Sequence, residues 1–384
     1  MTATSTRPPL WRDVRVLAWV FQVAVVAVVL AVVWWLVNNV RSNSARQNIP
    51  TGFDFLDQPA GFPIADNSFR TSQRVQDAFV VGLRNTLLLA VVGIALSTVL
   101  GIALGVARLS KNLILQSAAR AYVEVIRNVP LLVLLVLGYV AVVLNGFPPP
   151  TQSWRVGSLA VLNVRGTWLP WFVGDGLVLV AVGLAALVVA GAVRWWRLRV
   201  AERTGAPARS GAWAAGAFVV VAGAGWVLGG FGATTPAVDG RSIEGGIKVS
   251  PTYLAALGAL VVYTSSHIAE ITRGSIQAVA KGQGEAADAL ALSGFQRMWF
   301  VVLPQAMRIA VPPVGNQYLN LTKNSSLAAV IAFPELTKVT QLTVGNRSPA
   351  IPAFLLLLSI YLVLSLIVSS FVNLANRRLA VVER

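Results

Sequence analysis

The sequence predicts an all-α, polytopic membrane protein. Only 12% of its 384 residues are charged and the mean hydropathy is +0.69, whereas a soluble domain of this length needs more charge to cover its surface. Apolar runs of about 20 residues, the length that a helix needs to cross the hydrocarbon core, recur along the chain. No cysteine is present, which excludes disulfides, haem attachment through cysteine and cysteine-bound zinc.

Eight apolar maxima predict eight crossings, of which the third and the sixth are short. They lie at 16–37, 86–107, 129–144, 177–193, 212–231, 253–265, 309–332 and 351–372. The first is too long for the apolar core of a signal peptide, so we expect a retained helix. The fourth and fifth contain almost no polar residues. We predict that this pair faces lipid at the periphery, because a transport pathway needs polar groups.

Positive charge is concentrated on one side of the predicted membrane. With the N-terminus in the cytoplasm, the cytoplasmic segments hold 19 of the 31 Lys and Arg residues and 7 of the 15 acidic residues. These segments are 1–15, 108–127, 194–209, 270–308 and 373–384. The loops on the other side hold 10 basic and 8 acidic residues. This is the positive-inside pattern, so the net charge of +16 indicates topology, with both termini cytoplasmic, rather than nucleic-acid binding.

Both long outside loops carry aromatic residues. The first, 41–77, contains FDFLDQPAGFP, whose Phe and Leu residues beside Gly and Pro predict a packed cap or an interfacial segment rather than a flexible tether. The second, 147–175, carries Trp154, Trp168 and Trp171, which we expect at the level of the lipid headgroups.

A polar insert at 270–308 separates the sixth and seventh crossings, and most of it reads GQGEAADALALSGFQRMWFVVLPQAMR. Its apolar spacing predicts two short helices with a break at 292–294, where Gly294 takes a left-handed conformation. Pro304 is expected at the start of the next helix, where its missing N–H is not needed. An exposed elbow with Ala, Leu, Phe and Trp on its surface predicts insertion into a partner's groove. A segment lying on the membrane is the alternative.

Nucleotide binding and catalysis find no support in the motifs. GQGEAA matches a dinucleotide fingerprint by accident, because no strand precedes it. No phosphate-binding loop is present, so we expect no ATP site on this chain. Glu270, Glu285 and Asp288 have no nucleophile or metal ligand nearby in the sequence, and we predict solvated or partner-facing positions. The single histidine, His267, is predicted to be structural rather than pH-sensing.

The seventh crossing is the most polar. Asn316, Asn320, Lys323 and Asn324 have the spacing of one helical face. A lysine near the middle of a crossing costs about 2.5–3.5 kcal/mol on insertion scales, so it usually faces a wet cavity or a partner. We hypothesise that this face lines a translocation path, with Lys323 near a substrate carboxylate. The alternative is hydrogen bonding to neighbouring helices.

Several separated stretches resemble the permeases of ABC importers. Glu285-Ala286-Ala287 followed by Leu303-Pro304 resembles the EAA loop of that family. LPQAMRIAVPPVGNQYLNLTKNSSLAAVI, VEVIRNVPLL and GLRNTLLLAVVG are similar to its polar amino-acid branch. The resemblance covers roughly residues 79–378, with an extra helix pair at about 150–250. With the early helix and FDFLDQPAGF, the chain most resembles the first permease subunit of general L-amino-acid transport systems.

The resemblance assigns a role to the insert. It implies that a coupling helix docks on a separate ATPase. Glu285, Ala286, Ala287, Leu303 and Pro304 occupy the family's positions directly, and Ala291 and Gly294 complete the predicted coupling loop. Ala291 stands where the family usually has Gly, so either Gly294 takes over the break or the first helix runs one turn longer. Val301 stands where the family has Ile.

The resemblance also implies partners, domains and location. It implies one permease subunit of an ATP-driven, binding-protein-dependent importer of L-amino acids in a bacterial inner membrane. Expected partners are a second, different permease subunit, two copies of a cytoplasmic ATPase that hydrolyses ATP, a periplasmic amino-acid-binding protein and lipid. The expected core is a MetI-like permease domain at 79–378, preceded by a region at 1–78 and followed by a tail at 379–384. Crossings two, three, six, seven and eight form this core.

The main alternative is an ion-coupled secondary transporter that acts alone. Such a protein is expected to have broken helices at matching positions in two halves, and acidic residues within crossings. The crossings here contain almost no acid, and no two halves match. A membrane-embedded enzyme would need clustered His or Asp residues, which the sequence lacks.

Overall fold

The computed structural model describes residues 14–47, 49–205, 209–239 and 242–379. Within these ranges the chain is mostly helical. Six helices are long and apolar enough to cross a membrane, or up to eight if each of two bent helix pairs is one span. The predicted all-α, polytopic class is therefore confirmed. Of the predicted cytoplasmic ends, 1–15 and 373–384, residues 1–13 and 380–384 lie outside the described residues.

Helices occupy all the predicted crossings. In chain order they are α1 (Val14–Arg46), α2 (Val75–Ala107), α3 (Leu113–Asn128), α4 (Leu131–Leu137), α5 (Gly176–Thr204), α6 (Ser210–Leu228), α7 (Pro251–Gln277), α8 (Lys281–Ala289), α9 (Gly294–Gln296), α10 (Leu303–Asn324), α11 (Leu336–Gly345) and α12 (Ala350–Leu379). The sixth crossing, predicted to end at 265, belongs to α7, which continues to Gln277 because no proline interrupts it.

The third crossing follows a sharp bend. The axes of α3 and of the segment Leu131–Leu144 differ in direction by 102°. Proline disfavours a helical conformation in the residue before it, and Val129, before Pro130, is extended with φ −96° and ψ 128°. The segment after the bend consists of α4 and a π-helical turn, Gly138–Leu144. Sequence reasoning missed α3, which is an amphipathic helix within a predicted cytoplasmic segment.

Short strands flank the α5–α6 pair, and sequence reasoning missed them because each has only three or four residues. They are β1 (Trp154–Val156), β2 (Ala160–Asn163), β3 (Gly166–Leu169), β4 (Trp171–Val173), β5 (Gly232–Thr234), β6 (Ala237–Asp239), β7 (Ser242–Glu244) and β8 (Ile247–Val249). One sheet has the antiparallel order β1-β2-β3-β8, while β4 pairs with β5 and β6 with β7. The predicted headgroup level of the three tryptophans remains a prediction.

The described residues divide into two compact units, and the first joins the chain up to Thr86 with Pro334–Phe371. Its core contains Phe55, Phe62 and Phe69, each at most 8% exposed. The predicted packed cap within 41–77 is therefore confirmed. Glu335 is fully buried in this unit. It caps α11 by accepting hydrogen bonds from the Thr337 and Lys338 N–H groups at 2.8 Å and from the Tyr361 hydroxyl at 2.9 Å.

The second unit joins Leu87–Phe333 with the residues after Phe371. Within it, α2 and α7 pack closely at two glycines. A Cβ on Gly101 would lie 2.6 Å from the Cβ of Ile268, and one on Gly105 would lie 2.6 Å from the Cβ of Thr272. Both numbers rise together along the two helices, so α2 and α7 run parallel. Glycines four residues apart allow such close approach between membrane helices.

Parallel packing of α2 and α7 decides how the crossings between them are counted. Two membrane helices of the same direction require an odd number of crossings between them. The helices α5 and α6 supply two, so the short segment Leu131–Leu144 supplies the third. Its Leu131, Leu135 and Val143 are buried in one core with residues of α7. The predicted third crossing agrees with this packing, and the predicted count of eight lies within the range of six to eight.

Candidate functional site

The first helix of the polar insert ends in a left-handed residue. Ala291 has φ +53°. The N–H of Ala291 donates to the Asp288 carbonyl at 2.9 Å, and the N–H of Leu292 donates to the Ala287 carbonyl at 3.1 Å. This pair of bonds is the Schellman arrangement, in which the left-handed position is usually Gly. Both expectations for the break were wrong, because Ala291 itself adopts the left-handed conformation.

Gly294, which was predicted to take the left-handed turn, instead begins α9. Ser293 caps this helix, since its hydroxyl accepts from the Gln296 N–H while the Gln296 side chain accepts from the Ser293 N–H. This reciprocal pair is a capping box. The π-helical turn Arg297–Val302 then leads into α10. Pro304 lies at the start of α10, as predicted.

We expect Ala291→Gly to stabilise the insert. A non-glycine residue in the left-handed region carries a penalty of about 1–2 kcal/mol that glycine avoids, partly offset by the greater freedom of glycine in the unfolded chain. Hydrogen exchange of the amides in 285–293 should slow about threefold to fivefold. The matched control, Ala289→Gly in the last turn of α8, should speed exchange, because glycine destabilises a helix by about 0.5–1 kcal/mol.

Equal exchange in Ala291→Gly and the unmodified chain would contradict the strained conformation at Ala291.

Two polar contacts join α8 to the helical segment that follows the break. We call residues Lys281–Val302 the elbow. The Arg297 guanidinium donates to both carboxylate oxygens of Asp288, at 3.0 and 2.8 Å. The Gln305 amide, at the start of α10, donates to the Gln283 side chain at 3.1 Å. Asp288, predicted to be solvated or partner-facing, is more than half exposed but ion-paired within the elbow. The two segments therefore form one defined surface.

The elbow exposes large apolar side chains. Leu290 is 76% exposed and Phe295 is 74% exposed. The rings of Phe295 and Trp299 stack with centroids 6.1 Å apart, and Phe300 is also exposed. Of the predicted loop residues, Glu285, Ala286, Ala291 and Gly294 are exposed, Leu303 and Pro304 are half-buried, and Ala287 is buried. Exposed aromatic and Leu side chains on an ordered elbow are typical of a surface that docks on a protein or on a membrane.

Three arginines surround Glu270, which lies on α7 ahead of the elbow. Arg108 follows the end of α2, Arg127 is in the last turn of α3 and Arg273 is on α7. The Glu270 carboxylate pairs with Arg108, with Arg273 at 2.5 Å and with Arg127 at 3.4 Å. The Glu270 carboxylate is therefore ion-paired within the chain rather than fully solvated, with its side chain 28% exposed, and a partner-facing position stays a prediction. We call the four residues the Glu270 cluster.

The Glu270 cluster holds the ends of three helices next to the elbow. Arg108 is only 10% exposed, and the Nε atoms of Arg108 and Arg273 have no hydrogen-bond partner among the described residues. Hydrogen bonds between charged groups are stronger than neutral ones. Since one carboxylate pairs with three arginines, its loss would leave all three without an anion among the described residues. Sequence reasoning missed this cluster, because its members lie on helices far apart in the chain.

His267 lies one turn before the Glu270 cluster on α7. Its ring is 4.8 Å from the ring of Tyr263, and the residue is half-buried. Its Nε2 atom is buried without a hydrogen-bond partner in the described part of the chain. The structural role of His267 remains a prediction.

The polar face of α10 is open. Asn316, Asn320 and Lys323 are exposed and Asn324 is half-buried, and none of these four side chains forms a hydrogen bond or ion pair with described residues. The alternative in which they bond to neighbouring helices of this chain therefore finds no contact to support it. The sequence spacing of these four residues predicted that they share one face of the helix, and they do so in α10.

Other positions of α10 pack against neighbouring helices. A Cβ on Gly93 of α2 would lie 3.3 Å from the Leu321 side chain. The hydroxyls of Thr98 and Tyr318 lie 2.9 Å apart. A Cβ on Gly315 would lie 2.2 Å from Val372 of α12. These contacts fix the rotation of α10 about its axis, so the four polar side chains are held away from α2.

Comparison with known proteins places these features in one family. The sequence model described as "Binding-protein-dependent transport system inner membrane component" matches residues 97–381. The matched region includes the Glu270 cluster, the elbow and the polar face of α10. The chain belongs to this family. It is therefore a multi-pass inner-membrane transport component.

Named relatives of this transport component extend over nearly its whole length. The "Putative amino-acid ABC transporter permease protein YhdX" of Escherichia coli (strain K12) is 38% identical over 96% of this chain and 95% of its own length. The "General L-amino acid transport system permease protein AapQ" of Rhizobium johnstonii is 38% identical over 95% of this chain and 92% of its own length. These matches include the extra helix pair.

Among solved structures, one described as an amino acid ABC transporter with histidines shares 21% identity with this chain. The TM-score is 0.49, and the match covers 79% of this chain and 94% of the other.

Proposed function

We propose that this chain is a permease subunit of an ATP-driven, binding-protein-dependent importer of L-amino acids. The observation that carries the proposal is the elbow, an ordered surface with exposed Leu290, Phe295 and Trp299 between two core helices of a transport component. Such a surface fits a groove on a separate protein. The names of the relatives support L-amino acids as substrates.

In the proposed mechanism, a separate cytoplasmic ATPase binds the elbow and hydrolyses ATP, while this chain binds no cofactor and has no ATPase site. Movement of the ATPase is passed from the elbow directly into α10, since α9, the π-helical turn and α10 are continuous. The Glu270 cluster carries the same movement to the ends of α2, α3 and α7. Two ATPase copies, a periplasmic amino-acid-binding protein and cytoplasmic termini complete the proposal.

The polar face of α10 is the proposed wall of the translocation path. Asn316, Asn320 and Asn324 offer amide groups, and Lys323 offers a positive charge for the substrate carboxylate. Because this face has no partner among the described residues, a second, different permease subunit is proposed to close the path opposite it. The proposed permease domain is 79–378, interrupted at about 150–250.

Cross-linking tests the elbow as the coupling element. The natural chain has no cysteine, so single cysteines can be introduced directly. Ala286→Cys and Leu290→Cys place the thiol on the exposed surface, and Ala287→Cys is the matched control because Ala287 is 2% exposed. With an ATPase that carries one cysteine in its surface groove, the exposed pair should cross-link with a yield that changes on adding ATP. The control should not.

Absence of any cross-link, together with uptake by the chain alone that an ionophore abolishes, would favour the secondary transporter instead.

Lys323→Met is expected to reduce amino-acid uptake at least tenfold in the assembled transporter. The substitution keeps a long, unbranched side chain but removes the charge proposed to attract the carboxylate. The loss should appear mainly in KM for the imported amino acid, while ATPase activity without substrate stays within twofold. The control is Lys338→Met on α11, which should leave uptake unchanged. Unchanged uptake rate and substrate range in Lys323→Met would refute the contact.

A further inference from the structure

Arginine and tryptophan residues are concentrated at the end of α5 and the beginning of α6. Residues 194–209 contain five arginines and one acidic residue. The side chains of Arg194, Arg199, Arg203 and Arg209 are exposed and form no ion pair or hydrogen bond within the described part of the chain. Such an excess of unpaired positive charge favours an anionic ligand. We call Arg194, Trp195, Arg197, Arg199, Arg203, Arg209 and Trp213 the Arg–Trp cluster.

Tryptophan rings hold two of these arginines in place. The Arg199 guanidinium lies 3.9 Å from the ring centre of Trp195 on the same helix. The Arg197 guanidinium lies 5.1 Å from the ring centre of Trp213 and so connects α5 with α6. Stacking on a ring uses the flat face of a guanidinium and leaves its N–H edge available. Arg199 therefore presents a preoriented edge suited to two oxygens of a phosphate.

The rest of the helix pair shows where this edge lies. The apolar stretch of α5 is 6% buried and that of α6 is 0% buried within the described residues, which fits helices surrounded by lipid. Tryptophan and arginine at the end of such helices lie at headgroup level. We propose that the Arg–Trp cluster binds the phosphate group of an anionic phospholipid. This inference stands apart from amino-acid import, and it concerns a region outside the predicted permease core.

The proposal is tested with the purified full chain in detergent and fluorescently labelled phosphatidylglycerol in mixed micelles. Arg194→Gln with Arg199→Gln removes two charges from the Arg–Trp cluster. Arg41→Gln with Arg46→Gln, two exposed arginines at the end of α1, removes the same charge elsewhere. Each arginine near an anionic surface accounts for roughly a fivefold change in affinity, so the first pair should weaken binding about twenty-five-fold and the control less than twofold.

A zwitterionic lipid, phosphatidylethanolamine, should compete poorly for the site. Arg203→Gln with Arg209→Gln repeats the measurement with the remaining exposed arginines and should also weaken binding. If Arg41→Gln with Arg46→Gln weakened phosphatidylglycerol binding equally, the lipid would be attracted by net charge rather than bound at a site. That result would overturn the proposal. Unchanged binding in both cluster variants would also overturn it. Displacement of the lipid by millimolar inorganic phosphate would show a free-phosphate site instead.

Discussion

Glu270→Gln is expected to destabilise the chain by about 2–4 kcal/mol. Breaking a fully buried ion pair costs about 3–5 kcal/mol, and partial exposure of the Glu270 carboxylate lowers that figure. Arg108 is affected most, because its side chain is 10% exposed and has no other anion among the described residues. Thermal unfolding of the detergent-solubilised chain measures the effect. The control Glu285→Gln, at an exposed position whose side chain has no polar partner among the described residues, should change stability by less than about 0.5 kcal/mol.

Removing one arginine should partly reverse the loss. Arg127 is the most exposed arginine of the Glu270 cluster, at 41%. Arg127→Gln combined with Glu270→Gln lowers the excess positive charge, so the double variant should be more stable than Glu270→Gln alone. Glu270→Asp keeps the charge and remains measurable if the glutamine variant does not fold. Stability of Glu270→Gln equal to that of the unmodified chain would refute the role assigned to the cluster.

Gly105→Leu is expected to prevent correct packing of α2 against α7. A Cβ at this position would lie 2.6 Å from the Cβ of Thr272 and 2.8 Å from the carbonyl oxygen of Ala269. Neither atom is the end of a flexible side chain, so the helices must move apart. Forcing extra carbon atoms into a packed interface costs about 1–3 kcal/mol or more, and four additional carbons exceed what this seam accommodates. The yield of monodisperse protein after detergent extraction should fall severely.

The smaller change Gly105→Ala keeps this test quantitative, with an expected loss of about 1–3 kcal/mol in thermal unfolding. Gly258→Ala is the matched control, because a Cβ on this glycine of α7 would have no atom within 4 Å. Replacing an unconstrained helical glycine should be neutral or stabilising by up to about 1 kcal/mol. If Gly105→Ala behaved like Gly258→Ala, the close approach of α2 and α7 would be refuted.

Sequence reasoning was most successful where a single segment determines the structure. Apolar length predicted the crossings, and the spacing of Asn316, Asn320, Lys323 and Asn324 placed them on one face. It failed where the structure depends on backbone hydrogen bonds at a helix end, or on contacts between residues far apart in the chain. The preference of glycine for left-handed backbone pointed to Gly294, but the hydrogen bonds at the end of α8 required Ala291. In the Glu270 cluster, Glu270 pairs with Arg108, which lies 162 positions earlier in the chain.

One sequence signal was present but not recognised. Gly101 and Gly105 have the spacing of a close-packed helix pair, but an apolar run of this kind does not show which face meets a neighbour. The strands are a different case. With three or four residues each, they are too short for alternation to distinguish a strand from a loop.

Pairing of β3 with β8 makes the α5–α6 region removable in principle. Leu169 and Ile247 are partners in this pairing, so the chain departs and returns at points about 5 Å apart. A tight turn could join these points directly. Because the excised segment contains two membrane passages, every later helix would keep its direction. The helix pair can therefore be gained or lost in evolution without changing the membrane orientation of the helices that follow it. Gain or loss of a single membrane helix would reverse the orientation of every later helix.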